Sequence, residues 1–194
     1  MNTPAHLIFG MTAFGKRGQT RVTVAAFAGA LLPDLSLYLM AGWHFLVLGT
    51  PANVIFGQLY FSENWQSVFR VDNSIILWGI GLALGLMAKR PAVIALCAAA
   101  LLHLGLDFLF HHDDGRAHFW PVNTWIFQSP VSYWDPAHHG RLVGWLEITL
   151  SLICCAVLWR RHHHLIMRAF IAMLGLAELV PGVMFTLMFT GPPN

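Results

Sequence analysis

Charge is the scarcest feature of this 194-residue sequence. Asp, Glu, Lys and Arg make up 10% of it, 57% is hydrophobic, and the mean hydropathy is +0.61. A soluble domain carries about 25% charged residues. This chain cannot cover its own surface with polar groups, so its natural solvent is lipid. The net charge is only +2, and the basic residues form no patch interleaved with aromatics, which excludes nucleic acid as a partner. Cysteine is sparse as well. Cys97, Cys154 and Cys155 lie inside apolar runs and read as buried small hydrophobes, not as a disulfide or zinc framework. No basic stretch precedes the apolar part of MNTPAHLIFG, so no cleaved signal peptide is expected. There is no internal repeat and no low-complexity tract, and residues 1–194 read as a single transmembrane domain.

What the chain does have is apolar runs, at about 22–49, 73–88, 92–110, 142–159 and 165–189. Each is near the ~17–25 residues that cross a hydrocarbon core. A shorter run, Pro4 to Phe14, suits a re-entrant or tilted half-helix. Residues 51–70 set Ile55, Leu59, Trp65 and Phe69 among polar residues, as an interfacial helix or helical loop does. The fold expected is all-α, a polytopic membrane bundle of about five transmembrane helices plus the short N-terminal half-helix. Eight of the eleven Lys and Arg (Lys16, Arg17, Arg21, Lys89, Arg90, Arg160, Arg161 and Arg168) fall at alternate span ends. That bias places those ends in the cytoplasm and the 44–72 and 111–141 loops outside, in the periplasm of a bacterium. Trp43, Trp65, Trp120, Trp125 and Trp134 lie in or beside those outer segments, as an interfacial belt does. Membrane lipids are therefore the first partner expected.

Within the spans stand four acids, Asp34, Asp107, Glu147 and Glu178. Such groups cost several kcal/mol in hydrocarbon unless paired, protonated or metal-bound. At ~1.5 Å per residue, Asp34, Glu178, His103 and Asp107 lie about 18, 20, 17 and 23 Å from the inner ends of their helices. Glu147 descends about 8 Å from the opposite side. One layer in the outer half of the membrane therefore holds these groups, and His6 joins it if the short segment dips in from outside. On a helix, His103, Asp107 and His111 stack on one face at i, i+4 and i+8. Imidazole and carboxylate are the ligands that zinc or a similar divalent ion takes where cysteine is absent. The alternative is a His–Asp pair that only ties helices together. His162, His163 and His164 read as a solvated cluster facing lipid headgroups, and His138 and His139 as loop residues.

The order of three pieces resembles a known family: TPAHLIFG near the N-terminus, LLPD over Leu31 to Asp34, and an H-x-x-x-D followed by Gly and a WP pair. It is similar to the small bacterial membrane-bound metal-dependent hydrolases, over residues 3–14, 30–36 and 102–122. The resemblance implies His6, Asp34, His103 and Asp107 as metal-site residues. Many members show an Asp soon after the PD, where this chain has Leu35 and Ser36. Others carry HRGxTHS; here HLGLDF keeps His103 and Gly105 but has Phe108 at the second histidine, a place His111 or His112 can fill. The texture around SPVSYWDPAHHG also looks like that of proteobacterial sequences labelled cobalamin biosynthesis protein. The soluble amidotransferase of that name needs a catalytic cysteine domain and a nucleotide loop, and this chain has neither.

The function expected is therefore metal-dependent hydrolysis of a lipid or lipid-linked ester or phosphoester at the periplasmic face. The cofactor is a divalent metal ion, zinc foremost, with Mn and Fe as alternatives. His6, Asp34, His103 and Asp107 are the candidate ligands, with His111 as a fifth. Asp114, His112 and His118 are candidates for a general base or for orienting a ligand histidine. A different class stays open: a non-catalytic subunit of a larger membrane complex, its His/Asp layer serving as glue. An ion-relay protein is disfavoured, because the inner halves of the spans are almost purely apolar.

Overall fold

The computed structural model describes residues 1–189, with side chains described to residue 180. The chain is all-helical, with no strand among the described residues. Helix α1 spans Thr3–Phe14, α2 Thr20–Leu46, α3 Ala52–Val54, α4 Glu63–Asp72, α5 Ile75–Met87, α6 Pro91–Phe110, α7 Gly140–Arg161 and α8 Leu165–Phe189. Proline opens α1 and α6, at the one helical turn whose N–H groups have no partner inside the helix. Ser74 caps α5 by accepting from the Leu77 amide at 3.1 Å.

Four stretches are long and apolar enough to cross a membrane: Thr20–Leu46, Glu63–Met87, Pro91–Phe110 and Gly140–Arg161. The α8 helix runs 25 residues, the length of a fifth. Only 39% or less of the apolar stretch of any of the four is buried. Leu46, Met87, Leu84 and Ile153 stand more than half exposed. An apolar surface of that extent suits a bundle whose solvent is itself apolar.

The segment expected to be a helical loop is two pieces. A single π turn, Ile55–Leu59, follows α3, and the short amphipathic α4 follows that. Ile55, Tyr60, Trp65 and Phe69 form one buried cluster against Leu37, Met40 and Ala41 of α2. Glu63 and Arg70 pair on the exposed face of α4 at 2.8 Å.

The main core lies where α1 is enclosed by α2, α6, α7 and α8. Helix α1 is the half-helix of the sequence, and half of its residues, all between Ala5 and Met11, are buried. Small side chains allow the close approach that lipid-immersed helices use. Ala26, Ala30, Ala95, Ala99 and Ala100 are nearly inaccessible. At Gly29 a Cβ would overlap the Leu96 carbonyl of α6, so only glycine permits that crossing.

Residues 111–139 form a long loop with one 3₁₀ turn, Pro136–His138. It is stitched down by backbone bonds: Ser129 N to His111 O and Tyr133 N to Phe110 O, both 3.0 Å, and Ile75 N to His118 O, 2.9 Å. Phe108 stacks on Phe127 beneath it, with ring centroids 4.5 Å apart.

Gly29→Ala is expected to lower the melting temperature in detergent, with a destabilisation of about 1–3 kcal/mol typical of overpacking. Gly42→Ala, inside the same helix and where a Cβ meets open space, is the control and should leave it unchanged or raise it slightly. Equal stability of both variants would contradict the α2–α6 packing.

Candidate metal centre

The residues that converge come from three helices. Helix α1 brings His6, α2 brings Asp34 one residue after Pro33, and α6 brings His103 and Asp107 one turn apart. All four are buried, His103 and His6 at 1% and 2% exposure. His6 Nε2 lies 2.8 Å from Asp107 Oδ1, and His103 Nε2 lies 3.0 Å from Asp107 Oδ2 and 3.7 Å from Asp34 Oδ1. The two imidazoles stack, with centroids 3.6 Å apart and planes 12° from parallel. One ligand atom from each of His6, His103 and Asp107 falls within 4.8 Å of the other two, so this group can hold a metal ion.

The ring nitrogens of His103 carry the chemistry. Its Nδ1 is 2.7 Å from the Ala30 carbonyl, which can only accept, so Nδ1 bears the proton. In the neutral ring, Nε2 then presents a lone pair to two carboxylates, an arrangement that a cation between them relieves. A backbone carbonyl behind a histidine is also the usual support of a metal-ligating imidazole. His6 lacks such support; its Nδ1 is buried with no hydrogen-bond partner. Asp34 is steadied by Thr3, whose hydroxyl donates to Oδ2 at 2.5 Å and accepts from Tyr38 at 2.7 Å.

His111 joins the group by a different route from the helical stacking expected. Helix α6 ends at Phe110, and His111 is its extended cap, with φ −107° and ψ 125°. Its Nε2 nevertheless reaches 3.0 Å from Asp107 Oδ1, and the Met1 nitrogen lies 2.9 Å from both atoms. Behind it, Asp114 Oδ2 sits 3.0 Å from His111 Nδ1. Burial opposes the charged ring, but Asp107 and Asp114 outweigh it and hold the His111 pKa above its ordinary value. Burial likewise opposes ionised Asp114, and the His111 hydrogen bond outweighs that and holds its carboxyl low. Asp114 Oδ1 is buried without a partner.

His112 and His118 are not brought to the cluster. His112 places Nδ1 2.7 Å from the Ser129 carbonyl and stacks on His138, which in turn pairs with Asp135 at 2.6 Å. His118 places Nδ1 3.1 Å from the Asn73 carbonyl and ties the loop to the turn before α5. Glu147 of α7 and Glu178 of α8 are also buried. Glu147 accepts from the Asn2 amide at 2.6 Å, while its Oε2 and both Glu178 oxygens have no hydrogen bond among the described residues.

A cavity of about 500 Å³ opens onto the cluster. Asp34, Asp107, His111 and Asp114 line it, together with Phe56, Phe61, Tyr38 and Trp134. Arg116, which the sequence presents only as one of its few charges, also lines the cavity. Its one signal is its place, directly after HHDDG.

Comparison of the chain with family models, with curated proteins and with solved structures found no match.

Asp114→Asn removes the carboxylate behind His111 and should weaken metal binding about 10- to 100-fold, the usual effect of losing such a support. His112→Ala, facing Ser129, should leave affinity unchanged. Competition with a chromophoric chelator measures both. Equal losses in the two variants would contradict the assignment of Asp114 to His111.

Proposed function

We propose that this chain is a bacterial inner-membrane protein of the membrane-bound metal-dependent hydrolase kind, acting on a lipid or lipid-linked ester or phosphoester at the periplasmic side. The observation that carries the reading is the buried meeting of His6, His103 and Asp107, with His103 Nε2 turned toward two carboxylates. The ion is a divalent metal, zinc foremost and Mn or Fe as alternatives, since imidazole and carboxylate without sulfur suit all three. When bound, such an ion lowers the pKa of coordinated water toward ~7 and so supplies a nucleophile at neutral pH.

The chain's own residues do the rest. His6, His103 and Asp107 hold the ion, with Asp34 3.7 Å from His103 and His111 3.0 Å from Asp107 as the next candidates for its shell. The Ala30 carbonyl and Asp114 fix the two histidine rings in position. Asp114 lines the cavity with one oxygen turned to His111 Nδ1 and the other buried without a partner, so its part is to orient His111. The outward-facing apolar surface supports a membrane setting, and the bias of Lys and Arg supports a periplasmic mouth.

Protein purified in detergent without chelator is expected to hold about one divalent ion per chain by elemental analysis. His103→Ala and Asp107→Ala are each expected to lose it while remaining helical. Stoichiometric metal in either variant, or none in the wild type, would overturn this reading and leave the cluster as structural glue.

A further inference from the structure

Arg116 is buried to 6% exposure beside the centre, and none of its contacts satisfies it fully. Its Nη1 donates to the Pro33 carbonyl at 3.3 Å, a carbonyl already served by Asn73 at 3.0 Å. Its Nε donates to the Tyr60 hydroxyl at 3.4 Å. Its Nη2 comes no nearer than 3.9 Å to Asp34, beyond hydrogen-bond reach. A guanidinium has five N–H donors, so three long contacts leave a buried cation under-used, an arrangement that is costly to maintain.

The group is nonetheless fixed in direction. It lies over the Phe69 ring at 4.5 Å and the Tyr60 ring at 5.7 Å, and Tyr60 is anchored by donating to the Asp114 carbonyl at 3.0 Å. Arg116 thus lines the same cavity as Asp34, Asp107 and His111. Farther out, Phe56 and Phe61 are each more than half exposed and line the same cavity. A planar, aromatic-backed fork with spare donors recognises a carboxylate or phosphoryl oxyanion, and the phosphoryl group is the one that the proposed phosphoester chemistry offers. The apolar rim beyond it suits the tails of an amphiphile.

We propose that Arg116 is the oxyanion-gripping residue of this cavity and that the ligand's polar end is a phosphoryl group, which narrows the ester or phosphoester to a phosphate ester. The inference rests on the metal-centre reading for its catalytic meaning but not for the grip itself. Arg116 contributes binding and orientation: it holds a non-bridging phosphoryl oxygen while the apolar rim takes the tails.

The test is calorimetric titration of the full-length protein in detergent with three probes: dihexanoyl phosphatidate, dihexanoylglycerol and inorganic phosphate. Arg116→Gln should weaken phosphatidate binding about 10- to 100-fold, as loss of a charge-assisted fork does. Arg116→Lys keeps the buried charge and serves as the variant that folds; it should lose less, about tenfold, for want of the second prong. Dihexanoylglycerol should bind weakly and alike to all three proteins. Metal content, measured on the same samples, should not change. Phosphate bound as tightly as phosphatidate, with the same dependence on Arg116, would uphold the grip and identify the free ion as its ligand. Wild-type affinity for phosphatidate in both variants, or no preference over dihexanoylglycerol in the wild type, would overturn the proposal with the metal centre untouched. Arg116-dependent binding in a protein that holds no metal would uphold the grip and refute the metal centre alone.

Discussion

Two aspartates buried between apolar helices set the terms for everything around them. Asp34 and Asp107 sit at 8% and 6% exposure in a chain with almost no charge in its spans. An uncompensated carboxylate in such a place costs several kcal/mol. The fold answers by bringing compensating groups from far along the chain: His6 from α1, His103 and His111 from the two flanks of Asp107, and Arg116 from the loop. The short α1 helix has its place for this reason. It is too brief to serve as a span, yet it is enclosed by four others because His6 must meet Asp107.

That requirement explains where the small residues are. Helix α1 can be enclosed only if its neighbours approach closely, and Gly10, Gly29 and the alanines of α2 and α6 leave that room. The packing and the polar cluster thus depend on each other. Helices held apart by larger side chains would leave His6 short of Asp107, and the acids would then be buried without partners.

Much of this was legible in the sequence because hydropathy and helical spacing are local properties. The apolar runs at 22–49, 92–110 and 142–159 coincide with α2, α6 and α7 to within a few residues. The common depth of Asp34, His103 and Asp107 followed from counting residues, and His6 reaches it as a dipping segment would. The loop was a different matter. His111, His112 and His118 look equivalent in HHDDGRAHFWP, but their directions depend on where α6 stops and on bonds from Ser129, Tyr133 and Ile75. Those partners lie up to 43 residues away in sequence, between Ile75 and His118, beyond any periodicity argument. Arg116 was overlooked because an arginine in a loop normally faces water, and nothing local announces the Phe69 ring on which it lies.

The central claim concerns which atoms surround the ion, and X-ray absorption at the zinc edge of the zinc-loaded protein addresses it most directly. The account predicts a shell of nitrogen and oxygen at about 2.0–2.2 Å, with the outer-shell scattering of at least two imidazoles and no sulfur. A sulfur shell near 2.3 Å, or oxygen ligands without imidazole scattering, would place the metal elsewhere and contradict the centre formed by His6, His103 and Asp107.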